Sequence, residues 1–359
     1  MSDLPDESAV REAIADFPDP ETGRPLAETG QLGPLRVQAD KIGVAIRLSS
    51  HSAVLKDEVR DEIIGRLRQR FPGVKGIEIE FLPFERRPEK IGQIGLAAKS
   101  VIAVGSGKGG VGKSTIAASL AFGLSRAGSS VGLMDADVYG PSIPHLLGVS
   151  RRPEVVEGRI QPVEAGGLKV MSMGFLVPPG EAVVWRGPML HGAITQFLRD
   201  TAWGELDFLI IDMPPGTGDI ALTLSQLLPL SGAVVVCTPQ DVALLDAVKA
   251  VAMFRKVNIP LLGMVENMSG FVCPDCGKRY DIFGSGGARQ RAAELGIAFL
   301  GDVPIQIGIR VAGDEGRTAG NFDDPQAAPY LSAICKNLVR NLARAREEAG
   351  VLPTLEGTP

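Results

Sequence analysis

Cysteine is scarce in this chain, with four in 359 residues at Cys237, Cys273, Cys276 and Cys335. A chain of that length buries a large core without covalent staples, so a disulfide scaffold is excluded and a reducing compartment, the cytoplasm, is expected. Histidine is scarcer still: His51, His145 and His191 stand too far apart for the spacing of a metal site. No apolar run approaches the roughly 20 residues that span a bilayer; the longest, such as 233–237, are the size of a strand. Positive charge is not in excess either. The 37 basic and 42 acidic side chains leave a formal net charge of −5, which removes any global pull toward nucleic acid or an anionic membrane, and neither is an expected partner. The start, Met1-Ser2-Asp3-Leu4-Pro5-Asp6-Glu7, has neither the basic residues nor the apolar stretch of a secretory signal. Short internal repeats and low-complexity tracts are also missing.

What is present divides the chain in two. Val10, Ala13, Ile14 and Phe17 fall at helical spacing before the turn-rich segment 18–23. Alternation over 42–48, the four-residue spacing of Leu55, Val59, Ile63 and Leu67, and alternation again over 74–82 predict strand, helix and strand. Residues 1–82 therefore read as a small α/β domain. Residues 83–99, with Pro83, Pro88, Gly92 and Gly95 and no periodicity, read as a linker. From residue 100 to 348, β-branched runs at 101–104, 131–134, 168–171, 208–211, 233–237, 261–265 and 298–300 alternate with helical segments. Such alternation means βαβ crossovers and a mainly parallel sheet covered by helices on both faces. Residues 349–359, with Pro353, Gly357 and Pro359, are expected to form a flexible tail.

Gly107-Lys108-Gly109-Gly110-Val111-Gly112-Lys113-Ser114 satisfies the phosphate-loop pattern G-x-x-x-x-G-K-[ST], after an apolar strand and at the start of a helix. The fold class is thus a P-loop NTPase. The glycines let successive backbone N–H groups face one anion, Lys113 is expected to reach the β- and γ-phosphates, and Ser114 to offer its hydroxyl to Mg²⁺. Thr115 is placed for the α-phosphate. Such a loop needs carboxylates at the C-terminal ends of neighbouring strands. Asp212 is the expected metal-side group and Asp137 the one that positions water.

Cys273-Pro274-Asp275-Cys276 follows the strand at 261–265, in a loop that begins Asn267-Met268-Ser269-Gly270. Half of a metal site, a redox dithiol and two incidental cysteines are all open readings. A redox pair usually sits at a helix N-terminus, which this one does not. A tetrahedral zinc or a cubane cluster needs four ligands, and a two-fold homodimer would supply them by bringing two pairs together.

The loop GKGGVGKST, with its second lysine, Lys108, resembles the deviant Walker A family that contains MinD, ParA, nitrogenase iron protein and the Mrp (ApbC-like) proteins. The resemblance implies that Lys108 reaches the partner's nucleotide across an ATP-sandwiched homodimer. The segments 135–142, Trp185-Arg186-Gly187-Pro188-Met189, 212–219, Glu266-Asn267-Met268-Ser269 and the CPDC followed by Ile282-Phe283-Gly284 look like the Mrp branch. That branch implies a labile [4Fe–4S] cluster held between the Cys273 and Cys276 pairs of a dimer. It is passed to apo iron–sulfur proteins with ATP binding and slow hydrolysis, alongside a cluster-assembly scaffold. The same resemblance gives Asn267 an adenine contact and makes the turn Asp302-Val303-Pro304 close the base pocket.

The first 82 residues resemble the small iron–sulfur-assembly domain often fused ahead of Mrp proteins, on the turn Asp19-Pro20-Glu21-Thr22-Gly23 and the βαβ pattern. No cysteine precedes Cys237, so docking rather than thiol chemistry is the expected role there. Two other readings remain. A positioning ATPase like MinD or ParA would need a membrane-binding amphipathic helix or a basic DNA-binding face, whereas 330–348 reads as a packed terminal helix. A structural zinc site would keep the same cysteine ligands.

Overall fold

The computed structural model describes residues 5–38, 40–138, 140–176, 187–216 and 218–348. The expected flexible tail, Trp185-Arg186, Tyr139 and Thr217 lie outside the described residues. The chain divides into two compact units, one of residues 5–86 with 339–348 and one of residues 87–338.

In the smaller unit the alternation over 42–48 becomes the strand Lys41–Leu48, which buries Ile42, Val44, Ile46 and Leu48. It pairs in parallel with Gly76–Pro83. A parallel pair needs a crossover, and the helix Lys56–Arg70 supplies it, laying Val59, Ile63 and Leu67 against the sheet. A third strand, Leu32–Gln38, adds antiparallel to Lys41–Leu48. The helix Glu7–Ile14 starts where the Asp6 carboxylate accepts from the Ala9 N–H at 2.7 Å.

The turn after it is built on buried carboxylates. Asp19 accepts from Thr22 Oγ1 at 2.7 Å and from Gln31 Nε2 at 2.9 Å. Glu21 accepts from Ser49 Oγ at 2.5 Å. The Arg86 guanidinium stands 3.4 Å from each carboxylate. Residues 339–348, the last turns of the helix Ala328–Glu348, belong to this unit. There Arg340 pairs with Glu58, and Arg346 donates to the Glu21 carbonyl at 2.9 Å.

In the larger unit each predicted run falls in a strand, the last of them without Ala298: Leu96–Gly105, Val131–Asp135, Leu168–Ser172, Leu206–Asp212, Gly232–Cys237, Leu261–Val272 and Phe299–Ile305. Every residue of Val131–Asp135, Leu206–Asp212 and Gly232–Cys237 is buried, as a parallel sheet covered on both faces requires. Across the sheet the order is 168–172, 131–135, 206–212, 96–105, 232–237, 261–272 and 299–305, all parallel. The strand next in sequence after Leu96–Gly105 lies two places to one side, and Gly232–Cys237 lies on the other. The order therefore reverses around Leu96–Gly105, and the crevice beyond its C-terminal end is where open α/β sheets bind ligands.

Candidate functional site

The phosphate loop opens at that crevice, between Gly105 and the helix Lys113–Arg126. Gly110 and Gly112 both adopt φ +80°, a left-handed conformation that glycine takes without steric cost. Gly107 and Gly112 are also fixed by proximity. A Cβ at Gly107 would lie 2.0 Å from the Asp246 carbonyl oxygen, and one at Gly112 would lie 2.1 Å from Asn267 Nδ2. The cleft above the loop has a volume of about 270 Å³ and is lined by Lys108, Gly109, Gly110, Gly112, Lys113, Ser114, Thr115 and Asp137, among others. Val111 is buried beneath it.

Lys113 is buried, and its ammonium donates to Asp212 Oδ1 at 2.6 Å and to Ser114 Oγ at 3.3 Å, with Asp137 Oδ2 at 3.9 Å. Burial pushes the Asp212 carboxyl above the usual range, while the Lys113 ammonium and the Ser114 hydroxyl pull it down. Its second oxygen, Oδ2, is buried without a hydrogen-bond partner among the described residues. A buried carboxylate oxygen left bare is costly. With the Ser114 hydroxyl and Asp137 beside it, it fits the hard-oxygen donor set that Mg²⁺ shares with nucleotide phosphates. The structure thus brings Asp137, Asp212, Lys113 and Ser114 together. Lys108 lines the cleft, and its ammonium makes no hydrogen bond or ion pair among the described residues.

Asp135 was not singled out by the sequence. Its Oδ1 accepts from the Asp137 N–H at 3.1 Å, and its Oδ2 accepts from Ser172 Oγ at 2.9 Å and the Ile143 N–H at 3.2 Å. It is the support under Asp137. Complete burial, then the neighbouring Asp212 charge, push its carboxyl up to about 8.

Asn267 lies under the loop, with Nδ2 donating to the Val111 carbonyl at 2.9 Å. Pro304 sits beside it, since Asn267 pairs with Val303, but it does not line the cleft. The stretch 302–304, expected as a turn, is part of the strand Phe299–Ile305, where an outer position tolerates a proline. Likewise the expected loop at 267–270 is a bulge inside Leu261–Val272, which continues to the cysteines.

Cys273 and Cys276 stand in the tight turn of a hairpin, where Val272 pairs with Arg279 and Phe271 with Tyr280. The Cys273 N–H donates to the Lys278 carbonyl at 3.0 Å, and the Gly277 N–H to the Cys273 carbonyl at 2.9 Å. Cys273 is half-buried and Cys276 exposed, whereas Cys237 and Cys335 are buried. Backbone N–H groups of Cys276 and Asp275 hold the Cys273 thiol below its usual range, so the turn does what a helix N-terminus does elsewhere. Among the described residues no third thiol, imidazole or carboxylate joins the pair to make a metal-binding group. Tyr280, Ile282 and Phe283 are exposed close by in sequence.

Glu266 is the second residue that the sequence did not mark. Buried, it accepts from Ser269 Oγ at 2.6 Å and from the Gly286 and Ala288 N–H groups, each at 2.7 Å. Its neighbours in space lie some twenty positions downstream, so no local pattern announces them.

A glycine loop on a central parallel strand, a buried lysine–aspartate pair and a helix N-terminus define a P-loop NTPase. The family profile described as NUBPL iron-transfer P-loop NTPase matches residues 97–339, and the chain belongs to that family. A second profile, iron–sulfur cluster assembly protein, matches residues 7–81. The iron–sulfur cluster carrier protein of Deinococcus radiodurans is 45% identical over 352 residues, 96% of this chain and 99% of that one. The iron–sulfur cluster transfer protein NUBPL of Mus musculus is 50% identical over 255 residues, 69% of this chain and 79% of that one. Among solved structures, a nucleotide-binding protein from Archaeoglobus fulgidus in complex with ADP superposes with a TM-score of 0.57 at 42% identity, over 64% of this chain and 90% of that one. No helix among the described residues is long and apolar enough to cross a membrane.

Proposed function

We propose that this protein is an ATP-dependent iron–sulfur cluster carrier of the cytoplasm. Two copies hold one labile [4Fe–4S] cluster between their Cys273 and Cys276 pairs and pass it to apo-proteins, receiving it from an assembly scaffold. The observation that carries this reading is the hairpin. It places a half-buried and an exposed thiol side by side, the first held below its usual range by backbone N–H groups, with no further metal ligand beside them among the described residues. Four thiolates complete a cubane cluster, and a two-fold axis supplies the missing two. Names of relatives on both sides of the match, carrier in one and transfer protein in the other, favour cargo over a structural metal.

In this reading the loop N–H groups and Lys113 bind the triphosphate, and Thr115 lies beside the α-phosphate. Mg²⁺, held by Ser114 and Asp212, would neutralise charge developing on the phosphates. Asp137 orients the attacking water, and Lys108 reaches the nucleotide of the partner. Asn267 and Pro304 border the base. Hydrolysis is slow and coupled to loading or release. The exposed Tyr280, Ile282 and Phe283 give the cysteine hairpin an apolar flank for a protein partner.

Anaerobic reconstitution with iron and sulfide tests the reading, scoring iron, sulfide and zinc in wild type and in Cys273→Ala/Cys276→Ala. About four irons per two chains, absent from the double variant and transferable to an apo-acceptor, are expected. Stoichiometric zinc, or iron uptake indifferent to both cysteines, would overturn it.

A further inference from the structure

One strand, Leu261–Val272, joins the nucleotide cleft to the cysteine hairpin. Upstream it carries Asn267, whose side chain touches the phosphate loop at the Val111 carbonyl. Downstream it ends one residue before Cys273. Between the two, its register against Phe299–Ile305 slips from Asn267 to Phe271, and the slip contains two left-handed residues, Met268 at φ 59° and Gly270 at φ 70°. Glycine takes that conformation freely, but a methionine takes it only when its surroundings impose it.

Those surroundings are one polar network. Glu266 Oε1 accepts from Ser269 Oγ at 2.6 Å and from the Gly286 N–H at 2.7 Å, and Oε2 accepts from the Ala288 N–H at 2.7 Å. From the hairpin side, Arg279 Nη2 donates to the Ser269 carbonyl at 3.0 Å and to Ser269 Oγ at 3.3 Å. Arg279 is the register partner of Val272, the residue before Cys273. A Cβ at Gly270 would lie 2.9 Å from both Arg279 Nε and Asp281 Oδ1, so the bulge and the hairpin are packed without slack. The network thus ties the residue beside Asn267 to the residues that set the cysteines.

We propose that this bulge is the element through which nucleotide binding alters the cysteine pair, with Glu266, Ser269 and Arg279 as its positioning residues. Bound nucleotide reshapes the loop around Val111, Asn267 follows, and the strained bulge passes the displacement to Cys273 and Cys276. The inference rests on the carrier reading for its purpose, yet the coupling exists in the iron-free chain. Linkage requires that whatever nucleotide does to the thiol site, occupancy of the thiol site does in return to nucleotide affinity.

The test uses the full-length, reduced, metal-free protein. Iodoacetamide labelling rates of Cys273 and Cys276 are read by peptide mass spectrometry at one fixed pH, without nucleotide and with saturating Mg²⁺–ADP or a non-hydrolysable Mg²⁺–ATP analogue. Buried Cys237 and Cys335 serve as internal controls. Wild type is expected to change rate about fivefold or more between nucleotide states, the lower end of site-to-site coupling. In Arg279→Met, and in Glu266→Gln if that variant folds, the change should fall below about twofold while nucleotide still binds, because coupling but not binding is lost. Equal rates in all states of the wild type, or full nucleotide dependence retained in Arg279→Met, would overturn the proposal. Cluster reconstitution on the same preparation separates the two readings. Coupling without cluster binding sinks the carrier and leaves the bulge, and cluster binding without coupling does the reverse.

Discussion

Asp135 and Asp212 are register partners at the ends of adjacent strands, and both are buried. Two carboxylates so placed cannot both be charged cheaply. Lys113 pairs with Asp212, and complete burial beside that carboxylate raises the Asp135 carboxyl from 3.8 to about 8. Between those limits the folded chain holds a proton that the unfolded chain releases. The contribution of this one group to stability is therefore fullest below about pH 4 and falls as pH rises toward 8, by up to about 1.4 kcal/mol per pH unit. In Asp135→Asn the amide is neutral throughout, so urea unfolding of the Mg²⁺-free protein at a series of pH values should lose that part of the slope. An unchanged slope would mean that Asp135 is ionised in the fold. A strand-end aspartate two places before Asp137 gives no hint in sequence that it is the support and Asp137 the group facing the cleft. Only the Ser172 and Ile143 donors, 37 and 8 positions away, distinguish them.

At the scale of elements, the last turns of Ala328–Glu348 are part of the smaller unit, through Arg340 with Glu58 and Arg346 with the Glu21 carbonyl. The Arg346 guanidinium is half-buried there, and burial lowers its affinity for a proton more than the nearby Glu21 and Asp19 carboxylates raise it. A chain ended after Leu338 would leave Glu21 and Asp19 with Arg86 alone among these cations. Amide exchange over 32–83 should then quicken by at least about tenfold, which corresponds to the loss of roughly 1.4 kcal/mol. Unchanged exchange would show that the small sheet stands without the helix.

The elements themselves were largely readable. The parallel strands of the larger unit announced themselves as apolar runs, most clearly Val131–Asp135, Leu206–Asp212 and Gly232–Cys237, because a strand buried on both faces has few polar positions to interrupt it. Leu32–Gln38 gave no such signal, since glycine and proline follow its first residue and its later side chains alternate with solvent. The continuation of Leu261 to Val272 was hidden by Asn267-Met268-Ser269-Gly270. That composition reads as loop, and the long-range bonds of Glu266 and Arg279 make it a bulge. The phosphate loop was legible entire because its chemistry is local. The lining of the cleft by Asp137 but not by Pro304 depends on how distant strands end.

For the whole molecule the proposal requires a pair of chains. Lys108 faces the cleft, uses none of its ammonium donors among the described residues, and is not needed to shape the loop, where Ser106 Oγ donates to its carbonyl at 2.9 Å rather than to its side chain. Lys108→Ala is therefore expected to bind ATP within about threefold of wild type, because a half-buried charge with no partner among the described residues holds no part of the loop in place. It should fail to dimerise when the non-hydrolysable analogue is added. Light scattering with and without nucleotide reads this directly, and a variant that dimerises as wild type does would remove the lysine from the interface.

The smaller unit is assembled from both sides of the larger one, its sheet from before residue 86 and its closing helix turns from after residue 338. During synthesis this becomes a matter of timing. About 260 residues must be added after the small sheet is complete before Arg346 is made, which at 5–20 residues per second is roughly 13–50 s. For that interval the nascent small sheet has buried carboxylates and no Arg346. The nucleotide-binding unit, whose strands are all made before that helix ends, has the same interval in which to fold before the closing turns exist.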